Sequence, residues 1–240
     1  MGIPFVVVHG DFRHAGCAMP VQEIHSDKLR HFVNMLSPGV AGLTINMQTS
    51  EADKRSRILD GAVKVFLAYG YQRTTMDDIA RAAGMSRPAL YLQFRNKTDI
   101  YRAIATMMLD HSAEVAKAAL AGPGDLSDRL IAAIDDCMFA MVEKFAGSPH
   151  GADILDMKGS LAGDIVASWT ERLGGMIARE IEKEAVRLGT DLKARDLGPG
   201  MLSSLLLDGL EGIKMRIEDP TEQRRSVRGL VRVVSLALQP

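Results

Sequence analysis

A short cationic stretch, residues 84–94 (GMSRPALYLQF), carries the side chains with the clearest chemistry in this sequence. Its Arg87 has a planar guanidinium that can donate two parallel hydrogen bonds to a guanine edge or a phosphate. Tyr91 and Gln93 add neutral hydrogen-bonding groups within the next two turns. These donors could bind either an anionic partner or a partner that carries nucleotide bases. Which of the two is favoured depends on the helices that position the donors.

The stretch is predicted to be the third of three closely spaced helices. Apolar residues recur every three to four positions over 58–69, which predicts an amphipathic first helix that ends at Gly70. The run Thr75-Met-Asp-Asp78 matches a capping box and begins a second helix, which Gly84 stops. Helix, short glycine turn and helix is the spacing of a helix-turn-helix unit, residues 75–94.

The third helix has its own start signals. Ser86 is a suitable N-cap, and Pro88 falls in the first turn, where its missing N–H costs nothing. Leu90 and Phe94 are spaced to face inward and seat the helix. A recognition helix in a DNA groove can be this short, but an ordinary three-helix packing unit with a solvated basic face has the same spacing.

Charge is unevenly divided along the chain. Residues 53–97 hold nine cations and four acids, a net charge of +5, whereas the remainder holds 20 cations and 26 acids, a net of -6. This division predicts a basic module attached to an acidic body, although charge also fluctuates along any sequence. The segment 53–97 is called the basic segment below.

Composition excludes several classes of protein. The chain has 240 residues and is 47% apolar, which is enough for a small domain beside a larger one. It has no uncharged apolar run of eighteen residues, so no membrane span is predicted. Two cysteines, Cys17 and Cys137, and no signal-peptide pattern predict a soluble protein of the reducing cytoplasm.

Residues 58–104, ILDGAVKVFLAYGYQRTTMDDIARAAGMSRPALYLQFRNKTDIYRAI, resemble the DNA-binding domain of the TetR family of bacterial transcriptional regulators. The likeness lies in the order of its motifs, which run from Gly70-Tyr71 through Thr74-Thr75, Ala83-Gly84, Ser86 and Leu90-Tyr91 to Phe94 and Lys97. It covers about a fifth of the chain. The family often has glycine at the position of Pro88, and histidine or tyrosine at that of Gln93.

The resemblance implies binding of double-stranded DNA and a role for each matched residue. Thr75 would contact a phosphate at a helix N-terminus, and Arg87 and Ala89 would read a guanine and a thymine methyl group. Tyr91, Gln93 and Lys97 would contact the backbone and fix the register. The full set of implied DNA-binding residues is Thr75, Ser86, Arg87, Pro88, Ala89, Tyr91, Gln93 and Lys97.

The rest of the chain is predicted to be helical, which makes the fold class all-α. The predicted domains are 1–51, an unstructured extension, 52–112, the three-helix DNA-binding domain, and 113–240, a larger domain for effector binding and dimerisation. Fourteen methionines suit an adaptable apolar cavity, although methionine also simply fills gaps in a core. By resemblance this domain holds a small apolar or amphipathic effector, with Met138, Met141, Trp169 and Met176 as candidate contacts.

Two wide apolar stripes mark the last helices, predicted at about 197–217 and 221–238. They would pair with the same helices of a second copy, and Gly209 would allow close approach, unless they pack only within one subunit. The predicted interface residues are Leu202, Leu205, Gly209, Ile213, Val227, Leu230, Val231 and Val234. A homodimer would hold two recognition helices about 34–36 Å apart on a palindromic operator.

The first fifty residues fit neither domain. His9, His14, Cys17, His25 and His31 match no usual zinc spacing, so no metal and no cofactor are predicted. Met47 lies just before the first helix, which suggests that translation starts there and that residues 1–46 come from an upstream start codon.

The sequence therefore predicts a ligand-responsive transcriptional regulator, with a repressor favoured over an activator. An all-helical enzyme is a less favoured alternative, because we find no nucleophile and base pair and no glycine-rich phosphate loop. A helical module that binds acidic proteins through its basic segment is a third alternative.

Overall fold

The computed structural model describes residues 51–145, 147–156 and 161–239, and these residues form helices without any strand. The expectations for residues 1–50, which include the extension and the start at Met47, lie outside the described residues. The described helices are α1 (Glu51–Tyr69), α2 (Met76–Ala82), α3 (Arg87–Gln93), α4 (Lys97–Leu120), α5 (Leu126–Ile134), α6 (Ala140–Phe145), α7 (Gly151–Leu155), α8 (Gly163–Leu188), α9 (Pro199–Arg216) and α10 (Pro220–Ala237).

The predicted helix ends in the basic segment are confirmed. Thr75 caps α2 in a complete capping box with Asp78, and the Ser86 hydroxyl accepts a hydrogen bond from the Ala89 N–H at the start of α3. Gly70 and Gly84 adopt φ angles of 80° and 64°, a left-handed conformation that favours glycine. These short-range interactions fix where each helix stops and therefore how α2 and α3 cross.

Helices α1–α3 and the first half of α4 form the head of the molecule around one apolar core. Phe66, Ile79, Leu90 and Ile100 are fully buried in it. The same core includes Ile154 on α7 and Ala162 just before α8. The head is therefore continuous with segments that lie far along the chain.

Helices α5, α8, α9 and α10 form the body, together with the second half of α4. Its core is built from aliphatic side chains such as Leu130, Leu173, Ile177 and Leu206, each 1% exposed or less. Within this body Arg129 and Glu180 form an ion pair at 2.8 Å that is largely shielded from solvent. Removing either partner would leave a poorly solvated charge, so the pair also fixes the register of α5 against α8.

A π-helical turn, Asp135–Phe139, separates α5 from α6. It inserts an extra residue into the helical turn and rotates everything after it relative to α5. In the described part of the chain, no helix is both long enough and apolar enough to cross a membrane.

Candidate nucleic-acid interface and effector cavity

The turn between α2 and α3 is fixed from outside by α1. The Arg57 guanidinium donates to the carbonyl oxygens of Ala83 and Gly84 at 2.8 and 2.9 Å. These are carbonyls that the end of α2 leaves without helical partners, and a charged donor satisfies them strongly. Arg57 is thus a structural cation of the basic segment, and it sets the angle between α2 and α3.

Helix α3 is seated by its apolar side and presents the other side to solvent. Leu90 and Phe94 are 0% and 4% exposed, and Arg55 stacks on the outer face of the Phe94 ring at 4.4 Å. The exposed side consists of the N-terminal residues Ser86, Arg87 and Pro88, followed by Tyr91 and Leu92. Ala89 and Gln93 are half-buried, and the Gln93 amide contacts the Glu51 carboxylate.

Thr75 and Arg87 both lie on the outer surface of the head. The Thr75 hydroxyl and the Thr75 N–H both donate to an Asp78 carboxylate oxygen, at 2.6 and 2.9 Å, which lowers the pKa of Asp78. The Arg87 guanidinium lies 3.4 Å from the Asp77 carboxylate and 5.5 Å from the centre of the Tyr91 ring. Its contact with Tyr91, together with the charge of Asp77, raises the pKa of Arg87.

Lys97 does not have the exposed position that the resemblance implies. Its ammonium donates to the carbonyl oxygens of Tyr71, Thr74 and Gln72 at 2.7, 2.9 and 3.2 Å, and it lies 4.4 Å from the centre of the Tyr71 ring. Burial lowers its pKa. These contacts tie α4 to the loop after α1, and the phosphate contact of Lys97 that the resemblance implies stays a prediction.

Two other cations of the basic segment are exposed to solvent. Arg73 lies in the loop before α2 and Arg95 directly follows α3, and both are exposed and have no ion-pair partner in the described part of the chain. Leu92, for which the sequence predicts no role, is 85% exposed. The signal for the arginines was their presence in the basic segment, which cannot distinguish exposed cations from structural ones.

A cavity of about 240 Å³ opens between α4, the π-helical turn and α6. Its floor is formed by the buried residues Met108, Ser112 and Cys137, and its rim carries Asp136 and Lys144. The remaining lining residues are His111, Val115, Ala140 and Met141. An apolar floor below a rim of both charges suits a small molecule with an apolar body and a polar end.

The titratable groups of the cavity are held in defined states. Burial raises the pKa of the Cys137 thiol to about 12, so the thiol stays protonated and unreactive. Burial, followed by the nearby Lys144 charge, lowers the pKa of His111 and keeps the imidazole neutral at neutral pH. The Ser112 hydroxyl donates to the Cys137 carbonyl at 2.9 Å and satisfies a backbone group at the π-helical turn.

Only one of the four predicted effector contacts lines this cavity. Met141 does so, whereas Met138 and Met176 pack against the body core. Trp169 touches both the head core and the body core, and its buried indole N–H has no acceptor among the described residues. Met138, Trp169 and Met176 therefore lie outside this cavity, and as effector contacts they stay a prediction.

The cavity is linked to the head through α6. This helix contributes Ala140, Met141 and Lys144 to the lining, and its last residue, Phe145, is buried in the head core. Beyond it, Ser148 donates to the Leu67 carbonyl at 2.9 Å and the Tyr101 hydroxyl donates to the Ile154 carbonyl at 3.2 Å. A displacement of α6 would therefore be transmitted to α1 and α4 through these contacts.

Most of the predicted interface residues are buried within the chain itself. Leu202, Ile213, Val227, Val231 and Val234 are each 6% exposed or less. Their assignment to a dimer interface is corrected, because α9 and α10 turn these residues toward the body core.

The other three residues of the predicted interface divide between the inner and outer faces. Gly209 faces the Leu230 side chain of the same chain, whereas Leu205 is 53% exposed. The apolar residues that α9 and α10 do expose are Met201, Leu205, Met215, Val233 and Leu236. We call these five residues the outer face.

Metal ligation has no support in the described residues. They contain no group of three or more histidine, cysteine, aspartate or glutamate side chains that could hold a metal ion.

A basic helix-turn-helix head joined to an all-helical body with a small cavity defines the class of helix-turn-helix regulators. The sequence pattern of the bacterial regulatory proteins, tetR family, matches residues 58–104. The uncharacterised HTH-type transcriptional regulator MT2310 of Mycobacterium tuberculosis is 32% identical over 146 residues, which cover 60% of this chain and 69% of that protein. The chain belongs to the TetR family of bacterial regulatory proteins.

Two further comparisons show how far the likeness extends. The HTH-type transcriptional activator FasR of Mycolicibacterium smegmatis is 35% identical over 83 residues, but these cover only 38% of its length and 35% of this chain. A crystal structure of a TetR/AcrR-family transcriptional regulator from Thermobifida fusca superimposes with a TM-score of 0.56 at 26% identity, covering 76% of this chain and 96% of that one.

Proposed function

We propose that this chain is a DNA-binding transcriptional repressor that binds a palindromic operator as a homodimer and leaves it when a small apolar or amphipathic effector binds. The observation that carries the proposal is the exposed side of α3. Arg87, Pro88 and Tyr91 project from a seated helix within a segment of net charge +5. A helix of this kind enters the major groove with its N-terminal residues at the base edges.

The contacts divide by chemistry into reading and positioning. Arg87 can donate two hydrogen bonds to a guanine, and Ala89 can contact a thymine methyl group. Thr75 and Ser86, at the N-termini of α2 and α3, together with Tyr91 and Gln93, would face the sugar-phosphate backbone. In place of Lys97, Arg73 and Arg95 supply the point charges for phosphates.

The outer face supports dimerisation. Met201, Leu205 and Met215 recur along one side of α9, and Val233 and Leu236 do so on α10. A Cβ atom added at Gly212 or Gly229 would meet, outside its own helix backbone, no atom of the described residues within 4 Å, so facing helices can approach closely there. Two copies related by a twofold axis would bury this face and form a four-helix interface.

The cavity supports the effector part of the proposal. Ligand binding there would move α6, and through Phe145 and Ser148 this movement would reach the head. A coupling free energy of about 1–3 kcal/mol between the two sites would change operator affinity about 5- to 150-fold. FasR is described as an activator, and the position of the operator relative to the promoter decides between the two outcomes for a regulator of this kind.

The DNA-binding proposal is tested by selecting duplexes from a randomised pool and measuring their affinity by fluorescence anisotropy. We expect the full-length protein to select a palindrome and Arg87→Ala to lose about 1–3 kcal/mol of binding free energy, with discrimination relaxed at one base pair in each half-site. The matched control is Arg179→Ala, which removes an exposed arginine from α8 and should bind like the wild type. An unselective wild-type protein would contradict the proposal.

The effector proposal is tested by filling the cavity. Ala140→Leu places three more carbon atoms in the lining and should abolish the response to any compound that weakens wild-type operator binding, while binding without compound is retained. Ala132→Leu, on the exposed side of α5, is the control and should respond like the wild type. Straight-chain alcohols, acids and amines are suitable probes, and their binding is measured by isothermal titration calorimetry. A probe response that survives in Ala140→Leu would place the effector elsewhere.

A further inference from the structure

The Arg87 guanidinium is held on the surface of the head by an acid from the other helix of the helix-turn-helix. Asp77, in the first turn of α2, approaches the Arg87 Nη1 to 3.4 Å with both carboxylate oxygens. On its other side the guanidinium lies 5.5 Å from the centre of the Tyr91 ring. The Arg87 and Asp77 side chains are 59% and 52% exposed, so the arrangement faces outward rather than into a core.

This ion pair contributes little to stability. Exposed pairs typically contribute between 0 and about 1 kcal/mol, because solvent screens them and two side chains must be ordered. Asp77 also has an unfavourable position for a DNA-binding surface, since its negative charge approaches the phosphates of any duplex. The important effect of Asp77 is therefore its effect on the Arg87 side chain.

An exposed arginine without a partner binds phosphates of any sequence as readily as it binds a guanine. A guanidinium held between a carboxylate and an aromatic ring has lost much of its rotamer freedom, so its planar donor edge is presented in one direction. The carboxylate repels the phosphate backbone at every sequence, and this cost is offset only where Arg87 gains a bidentate base contact. The ordering of Arg87 raises the ratio of specific to non-specific affinity, whereas the repulsion lowers the affinity for every duplex and so suppresses binding to DNA that offers Arg87 no base contact.

We propose that Asp77 is a specificity-determining positioning residue, which aims Arg87 at one base pair of each half-site and weakens binding to all other DNA. The inference rests on the proposed DNA-binding function and on Arg87 as the base-reading residue. It predicts that Asp77 matters for which duplex is bound more than for whether the head folds.

The test compares four full-length variants, Asp77→Asn, Asp77→Glu, Arg87→Ala and the double variant Asp77→Asn/Arg87→Ala, with the wild type. For each, the affinities for the selected palindrome and for a scrambled duplex are measured at one salt concentration. We expect Asp77→Asn to raise affinity for the scrambled duplex about 5-fold, because a dimer loses two repulsive charges. The palindrome gains the same relief from repulsion but loses the positioned Arg87 contact, so the ratio of specific to non-specific affinity should fall.

The remaining variants separate positioning from general electrostatics and from folding. Asp77→Glu keeps a carboxylate that can reach Arg87, and this variant should retain most of the wild-type ratio of specific to non-specific affinity. In the Arg87→Ala background, Asp77→Asn should leave the ratio unchanged, because no guanidinium remains to be aimed. A ratio that is unchanged in Asp77→Asn, or that falls equally with and without Arg87, would overturn the inference.

The melting temperature and the selectivity of the wild type distinguish a failure of this inference from a failure of the proposed function. Asp77→Asn should melt within about 2 °C of the wild type, as expected for an exposed ion pair. A large loss of stability in both Asp77 variants would assign the residue to folding and overturn the inference. A wild-type protein without sequence preference would instead overturn the proposed function.

Discussion

Raising the salt concentration from 50 to 200 mM should weaken binding of the full-length protein to its selected palindrome about 1,000-fold. Each head exposes Arg73 and Arg95 and, in addition, Arg81, whose side chain is 80% exposed and makes only a 3.7 Å ion pair with Asp78. Two heads would then neutralise about six phosphates. With a slope of about -0.9 per phosphate in a plot of log K against log salt, a fourfold rise in salt costs about three orders of magnitude.

The same titration distinguishes exposed cations from structural ones. Arg95→Met removes two phosphate contacts per dimer and should make the slope shallower by about 1.8, without changing the melting temperature. Lys97→Met should leave the slope unchanged, because its ammonium is already bound to three carbonyl oxygens. It should instead lower the melting temperature, since those carbonyls lose a charged donor.

The opposite pattern would show that the assignment of these two residues is wrong. If Lys97→Met made the slope shallower and left the melting temperature unchanged, the lysine would contact phosphate in the complex, as the resemblance implies. A wild-type affinity that is insensitive to salt would exclude a phosphate-based interface altogether.

Features that depend on near neighbours in sequence could be predicted. Thr75 caps α2 through Asp78 three residues later, and Ser86 caps α3 through Ala89, so each cap is visible in a window of four residues. The left-handed turn at Gly84 is local for the same reason. The bounds of the helix-turn-helix and its inward-facing residues, Leu90 and Phe94, were therefore predictable.

Features that depend on distant partners could not be predicted. Lys97 binds backbone carbonyls 23 to 26 residues upstream, and backbone carbonyls carry no sequence signal. On α9 both Leu202 and Leu205 belong to one wide apolar stripe, yet one is buried in the body core and the other is exposed. Which side of a stripe faces inward depends on how the helix is rotated against its neighbours, and periodicity alone does not fix that rotation.

The π-helical turn explains why Met138 and Met141 have different surroundings. A continuous α-helix through residues 126–145 would place Met138 and Met141 one turn apart on one face. The extra residue in the turn Asp135–Phe139 separates them, so that Met141 lines the cavity and Met138 packs into the body core. An insertion of one residue in one turn leaves almost no trace in a hydrophobic pattern, because the apolar residues on both sides keep their own period.

Replacing Gly61 by valine should unfold the head or shift α2, and it should abolish operator binding. A Cβ atom at this position of α1 would lie 2.8 Å from the Ala83 backbone nitrogen and 3.1 Å from the Ala82 carbonyl carbon. Real Cβ atoms do not approach backbone this closely. Because both neighbours are main-chain atoms at the end of α2, no side-chain rotation can relieve the clash.

The expected loss is about 1–3 kcal/mol or more of unfolding free energy, the range for overpacked cores. It should be measured by urea unfolding and, for the head alone, by hydrogen exchange of the α2 and α3 amides. Gly175→Val on α8 is the matched control. A Cβ atom there would make only an ordinary 3.6 Å contact with the flexible end of Arg179, and the variant should fold and bind DNA normally.

Comparing Gly61→Val with Gly175→Val separates the effect of close packing from that of helix propensity. Valine is a better helix former than glycine, so propensity alone predicts that both variants gain a few tenths of a kcal/mol. Opposite signs at Gly61 and Gly175 would therefore isolate the contact between α1 and the end of α2. Arg57, one turn earlier on α1, binds the carbonyl of Ala83 in the same place. The position of the recognition helix α3 thus depends on the Arg57 side chain and on the absence of a side chain at Gly61. A Gly61→Val variant that retained selective DNA binding would show that the close contact between α1 and the end of α2 does not set this position.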